Sequence, residues 1–406
     1  DLAREVLGVD LSKQQQSSDW GAESLSAAQV AYAATDVLHL HALREKLDAM
    51  LLFAQDSNYW LTGYDTFGFC FFQCLVVTAD GRKVLLTRSA DERQAKHTSN
   101  ISDIRIWVDR GGASPVGQLK DMLFDMDLLG ARLGIEYDTH GLTAKLGREL
   151  DEALRSFAEL SDASHIIPRL RAIKSAEELV YVRQAAKLAD AAYLAGLDEI
   201  RPGADEGRIL AAMHTAIFEG GGDYPGNEFI IGSGRDALLC RYKSGRRALS
   251  PQDQITLELA GTYRHYHAAL MRTVAVGAAT PRHMVMHEAC CEALAAVESK
   301  LQTGCTFGEI FDAHAGAMDA RNMLPHRLNA CGYSLGARFT PSWMDWPMAY
   351  SGNDAAVEPN MVIFMHMILA DSGSETAMSL GRTYLTGVDG PVSLSELPLD
   401  LPVKAS

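Results

Sequence analysis

The stretch from Ser175 to Leu197 constrains this chain most. It is amphipathic at helical spacing, and Ser175 is followed three residues later by Glu178, the pairing of a capping box. One long helix is thereby fixed between two parts of different pattern. Before it, over residues 47–165, strand and helix signals alternate. Ala49–Ala54 reads as a buried strand, and Asp103–Val108 and Arg132–Tyr137 as further short strands. Cys74–Thr78 and Lys83–Thr87 flank Ala79-Asp80-Gly81-Arg82, whose Asp-Gly marks a hairpin. Pro115–Leu128 and Gly141–Ala158 read as helices, so this part is an α/β domain. Residues 166–406 run helix, strand, hairpin and helix, then turn strand-rich from Met361 to Leu385, which predicts an α+β domain with a curved antiparallel sheet. Residues 1–46 form a short helical extension, with Val30, Ala33, Ala34, Val37, Leu38, Leu40 and Leu43 on one period and Ser24 or Ser26 as N-cap.

Composition limits the partners. The 406 residues are 47% hydrophobic, enough for two or three domains with substantial cores. A formal charge of −15 repels phosphate backbones, so no nucleic acid partner is expected. The basic residues Arg235, Arg241, Lys243, Arg246 and Arg247 read as a solvated loop. Seven cysteines without a CxxC pair argue against a disulfide framework or a structural zinc, and point to a reducing, cytoplasmic setting. The longest apolar run, around Phe67–Val77, is too short to span a bilayer, so no membrane partner is expected. The start, Asp1-Leu2-Ala3-Arg4-Glu5, has no signal pattern and no initiating Met, and reads as an excised piece. No Gly-rich phosphate loop with Lys-Ser/Thr is present.

Two resemblances follow from motifs. Leu7-Gly8-Val9-Asp10-Leu11-Ser12-Lys13, Gln16-Ser17-Ser18-Asp19-Trp20 and Tyr32-Ala33-Ala34-Thr35-Asp36 resemble the end of a ribonuclease D 3′–5′ exonuclease domain, with Tyr-x-x-x-Asp as its last motif. The resemblance implies that Tyr32 orients a water and Asp36 binds a metal ion. That chemistry needs two metals held by several carboxylates, and the earlier motifs would lie before Asp1, so a relic is expected. The segment runs into the next without a Gly/Ser/Pro linker, as in a gene fusion or chimeric assembly.

The second resemblance covers the rest. Asn58-Tyr59-Trp60-Leu61-Thr62-Gly63-Tyr64-Asp65, then Leu170-Arg171-Ala172-Ile173-Lys174-Ser175-Ala176-Glu177-Glu178, then Tyr181-Val182-Arg183-Gln184-Ala185-Ala186 are similar to motifs of the creatinase/prolidase (pita-bread) hydrolases. The resemblance implies a creatinase-type N-terminal domain with a truncated start over 47–165, a pita-bread catalytic domain over 166–406, and a homodimer. Metal-dependent members hold two metals with Asp, Asp, His, Glu and Glu. The matching positions here are Glu258, Ala269, Tyr333, His366 and Gly381. Catalytic zinc usually has three protein ligands, so no metal cofactor is expected. The stretch Glu258…His265-Tyr266-His267-Ala268…Arg272-Thr273 and the loop Trp343-Met344-Asp345-Trp346-Pro347-Met348 resemble the ectoine-hydrolase branch, and creatinase is a metal-free branch.

Read from the residues themselves, Ile255, Leu257 and Leu259 alternate with Thr256 and Glu258, so a strand sets Glu258 opposite the aliphatics, toward a concave site or toward solvent. An acid there can act as base or nucleophile, or be a solvated strand charge. His265 and His267, two apart, share a face if both lie on a strand and could relay protons; a surface or structural role is the alternative. Tyr266 points the other way and packs. Arg241 could grip a carboxylate, or pair at the surface; Tyr242 and Trp343 are its companions as substrate contacts. His366 is either catalytic or a buried hydrogen-bonded histidine, and Tyr333 either donates from its hydroxyl or fills space. His283 and His287, four apart on a helix, lack a third ligand and read as an ordinary face. The expected function is metal-independent hydrolysis of a C–N bond in a small amino-acid-like molecule: an amidine, amide or ureido derivative. The competing readings are a metal-dependent Xaa-Pro dipeptidase, a catalytically dead binding protein, and an exonuclease built on residues 1–46.

Overall fold

The computed structural model describes residues 47–241 and 246–405. The helical extension expected over 1–46, with Tyr32 and Asp36, and the expected substrate contact Tyr242 lie outside the described residues. The chain divides into two compact units after Arg171.

The first unit is built on a six-stranded mixed sheet. Its strands are β1 (Ala49–Leu52), β2 (Cys74–Thr78), β3 (Lys83–Arg88), β4 (Asp103–Trp107), β5 (Arg132–Ile135) and β6 (Glu159–Asp162), in the order β4-β3-β2-β1-β5-β6. The β2–β3 hairpin turns where the Asp-Gly predicts it, with Gly81 at φ 91°. Strand β1 stops two residues earlier than its apolar run suggests. The reason is Glu136: its carboxylate accepts from the N–H groups of Phe53 (2.9 Å) and Ala54 (2.8 Å) and from the Ser57 hydroxyl (2.5 Å). Those bonds take the chain off the ladder and cap α1 (Gln55–Thr62), whose own N-cap residue, Ala54, has no side-chain acceptor. The helix α2 is Glu92–Thr98. The next helix, α3 (Pro115–Asp125), is capped by Ser114 and ends three residues before expectation, because Asp127 takes a left-handed φ of 61°. Helices α4 (Ala144–Leu154) and α5 (Ile166–Ala172) complete the unit.

The second unit opens with α6 (Ala176–Glu199), and the Ser175–Glu178 capping box forms in both directions. Then come α7 (Glu206–Glu219), β7 (Ile230–Ser233), β8 (Asp253–Tyr263), β9 (Tyr266–Val276), α8 (Pro281–Lys300) and α9 (Phe307–Ala320). The strands β10 (Gly332–Ser334), β11 (Asp345–Ala349), β12 (Val362–Asp371), β13 (Thr376–Leu385), β14 (Val392–Ser393) and β15 (Val403–Lys404) follow. They form a nine-stranded sheet, β11-β10-β12-β13-β9-β8-β7, with β14 on β13 and β15 on β9; every pair is antiparallel except β15–β9.

Helices cover one face of that sheet. From β12, Ile363, Met365, Met367 and Leu369 join Met286, Ala289, Cys290, Leu294 and Val297 of α8 and Phe307, Ile310 and Phe311 of α9 in one core. Gly261 of β8 faces α6, and a Cβ there would run into the Ala185 carbonyl oxygen, so glycine lets helix and strand touch. The alternation of β8 then points Ile255, Leu257 and Leu259 to the helices and Glu258 to the other face.

Candidate active site

The other face of the sheet is where the candidates meet. Strand register lines up two adjacent rows across it. In one, Glu258 pairs with Met271, Met271 with Gly381, and Gly381 with His366. In the next, Ala260 pairs with Ala269, Thr383 bonds both the N–H and the carbonyl of Ala269 through its hydroxyl, and Phe364 pairs with both Thr383 and Tyr333. Facing residues in an antiparallel pair project to one side. Residues 258, 269, 333, 366 and 381, scattered over more than a hundred positions of sequence, therefore occupy one patch.

Glu258 is 8% exposed, which removes the solvated-charge alternative. The Tyr333 hydroxyl donates to its Oε1 at 3.3 Å, and the Trp343 indole N–H donates to the Tyr333 oxygen at 2.9 Å. Burial pushes the Glu258 carboxyl up to about 7, against the opposing pull of the Tyr333 hydrogen bond and the Arg241 charge. Near neutral pH it is thus divided between acid and carboxylate, as acid–base chemistry requires. Arg241 is exposed, contacts Met344 Sδ at 3.9 Å, and has no carboxylate partner among the described residues. Its charge acts on Glu258, Tyr333 and His366.

His366 lies on the patch, its ring 5.6 Å from that of Tyr333. Burial holds its pKa down to about 3, so it is a neutral imidazole, and its Nδ1 has no partner among the described residues. Trp343 is 1% exposed, and its indole N–H serves Tyr333, so it positions that residue.

The histidine pair does not form as the spacing suggests. His265 is not on a strand. With Arg264 it makes the two-residue turn between β8 and β9, at φ 61° and 51°, and stacks on Phe339 at 4.1 Å between centroids. His267 is on β9 and fully buried, but its Nε2 accepts from the Gly226 N–H (2.8 Å) and its Nδ1 lies 3.3 Å from the Gly336 carbonyl. Both nitrogens are committed, and burial holds its pKa down to about 3, so it cannot hand protons to His265. Tyr266 does point away, donating to Glu178 at 2.8 Å. His283 bonds Gln254 and Thr280, and His287 the Leu399 carbonyl, so neither is a free ligand.

One residue of interest escaped sequence reasoning. His314 is a lone histidine on the apolar stripe of α9, among Phe307, Ile310, Phe311 and Met318. It is 1% exposed, its Nδ1 lacks a partner among the described residues, and its presence disfavours protonation of His366. That lone polar residue on the stripe was the available signal.

The described Metallopeptidase family M24 matches residues 180–386, about half of the chain. The chain belongs to this family. The Creatinase/Prolidase N-terminal domain matches residues 38–173, and a 3'-5' exonuclease domain matches residues 1–52. Among curated relatives, the ectoine hydrolase of Halomonas elongata is 27% identical, covering 88% of this chain and 93% of the relative. The Xaa-Pro dipeptidase of Pyrococcus horikoshii is 24% identical, covering 79% and 85%. Among solved structures, a prolidase from Thermococcus sibiricus superposes with a TM-score of 0.80 at 17% identity, over 94% of this chain and all of that one. A dipeptidase from Pyrococcus horikoshii gives 0.78 at 19%, over 91% and 99%. These likenesses establish the fold: a creatinase-type α/β domain followed by a pita-bread domain. No helix among the described residues is long and apolar enough to cross a membrane.

The donor set does not fit the two-metal centre that the family name implies. Of the five ligand positions only Glu258 and His366 carry a ligating side chain. At Gly381 a Cβ would come within 2.6 Å of the Phe364 ring and 2.9 Å of Met271 Cβ, so apolar groups fill the space a ligand would need. Among the described residues no group of three or more His, Cys, Asp or Glu is arranged to hold a metal ion.

Proposed function

We propose that this member of the M24 family hydrolyses a C–N bond in a small amino-acid-like substrate without a metal ion. The observation that carries the reading is that Glu258 is the one carboxylate at the five ligand positions, buried and held near neutrality. Without a metal to acidify water, the attacking or proton-moving group must be a side chain. Glu258 in its ionised form takes a proton from water or attacks the electrophilic carbon itself, and one water is consumed as the nitrogen leaves with a proton. Tyr333 holds the carboxyl in place, and Arg241 receives a substrate carboxylate, as a cation without a carboxylate partner among the described residues suits. The likeness to an ectoine hydrolase over nearly the whole chain favours this reading over Xaa-Pro dipeptidase chemistry, for which the donors are missing.

The purified protein is expected to hold no stoichiometric transition metal and to keep its turnover in chelator. Elemental analysis finding about two metals per chain, or activity lost to chelator and restored by metal, would return the chain to the dipeptidase reading. A screen of amidines, amides and ureido amino acids identifies the substrate, and failure of every member would favour a binding protein. The exonuclease match brings one carboxylate of the Tyr-x-x-x-Asp motif, Asp36, into residues 1–46, and one carboxylate cannot hold two metals, so this chain is expected to show no nuclease activity. Labelled RNA is expected to stay intact with magnesium or manganese. Shortening that Asp36→Ala abolishes would show the opposite.

A further inference from the structure

The buried His267 makes bonds that the proposed chemistry does not use, and they lead back to Glu258. Its Nε2 accepts from the Gly226 N–H at 2.8 Å, which requires the lone pair of a neutral ring. The proton then resides on Nδ1, which faces the Gly336 carbonyl at 3.3 Å, and the His267 backbone N–H donates to the same carbonyl at 3.2 Å. One ring therefore joins two segments distant in sequence: the loop between α7 and β7, and the chain leaving β10. The charges of His265 and Arg338 add to burial in opposing its protonation.

The first of those segments packs against the site's aromatic donor, Trp343, which lies in the chain between β10 and β11. Gly226 packs so closely on the backbone of Ser342 and Trp343 that a Cβ would lie 2.8 Å from the Trp343 nitrogen. The adjacent Asn227 accepts from the Trp343 backbone N–H at 3.2 Å. Phe229, further along the loop, sits 6.5 Å from the Trp343 ring, and the His267 ring 6.4 Å from it. The Trp343 indole then donates to Tyr333, and Tyr333 to Glu258.

We propose that His267 is a positioning residue: a neutral, two-ended clamp that fixes the Gly226–Asn227 loop, and so sets Trp343 on Tyr333 and Tyr333 on Glu258. A protonated ring would lose the lone pair that holds Gly226, so the clamp excludes proton shuttling by the same residue. The proposal deepens the reading of Glu258 as the working acid, but its test needs no substrate, so the two can fail separately.

Trp343 is one of five tryptophans, and its indole is two hydrogen bonds from the Glu258 carboxyl. The full chain is expected to show a change in tryptophan emission with a midpoint near pH 7, absent from Trp343→Phe and from Glu258→Gln. In His267→Ala the amplitude of that change should fall severalfold. His267→Gln, which can still accept from Gly226, should recover part of it. Asn227→Ala, at a half-buried position, attacks the same linkage from the loop side and keeps the test open if His267→Ala does not fold; it should also reduce the amplitude. Circular dichroism checks that each variant is folded. A full-amplitude transition at an unchanged midpoint in folded His267→Ala or Asn227→Ala overturns the proposal. Where the parent shows no such transition, acrylamide quenching of the Trp343 emission reads the seating of the indole directly, and quenching unchanged in folded His267→Ala overturns the proposal.

Discussion

Replacing Glu258 by Gln is expected to lower turnover by about two or more orders of magnitude, the usual scale for a lost acid or base, while the fold stays intact. The substitution keeps the side chain's length and its ability to accept from Tyr333, and removes only the ionisable group. No second carboxylate stands at the aligned positions to take over, because residues 269, 333 and 381 are Ala, Tyr and Gly. In the parent, kcat/KM should rise with pH through about 7, because the ionised form does the work and burial has moved its titration to that range. Turnover of Glu258→Gln within a few-fold of the parent, on a substrate found by the screen, would reduce Glu258 to a buried polar strand residue.

The second large effect concerns stability, and it runs opposite to activity. The Glu258 carboxyl sits at about 7 in the folded chain against 4.5 for the free group. A carboxyl raised in this way binds its proton more tightly when folded. Its contribution is therefore fully present below 4.5, lost as the pH rises through about 7, and absent above. The difference corresponds to roughly 3 kcal/mol at about 1.4 kcal/mol per pH unit. Glu258→Gln does not titrate, so its stability relative to the parent should grow by up to about that amount between pH 4.5 and pH 8. Urea midpoints of both proteins across this range measure it. A difference that stays constant with pH would mean that Glu258 is not held at a raised value. A gain in stability together with a loss of turnover is what a buried working acid predicts.

What the sequence determined by itself is local or periodic. The Ser175–Glu178 box, the Asp80-Gly81 hairpin and the alternation around Glu258 each depend on neighbours a few residues apart, and each stands in the structure as read. That residues 269, 333 and 381 are Ala, Tyr and Gly was legible too, since it is a matter of residue identity within ordered motifs. The tertiary structure alone decided which face of β8 was enclosed, and so that Glu258 is buried and raised rather than solvated. It decided that Tyr333 bonds that carboxyl and Trp343 bonds Tyr333, because the β10–β12–β13–β9–β8 register brings distant strands into line. It likewise put His265 in the turn rather than on the strand, a one-residue matter of where the hairpin closes that spacing cannot reveal. The same holds for His267 and His314. A histidine's role follows from what its two nitrogens meet, and for His267 those partners, Gly226 and Gly336, lie 41 and 69 residues away.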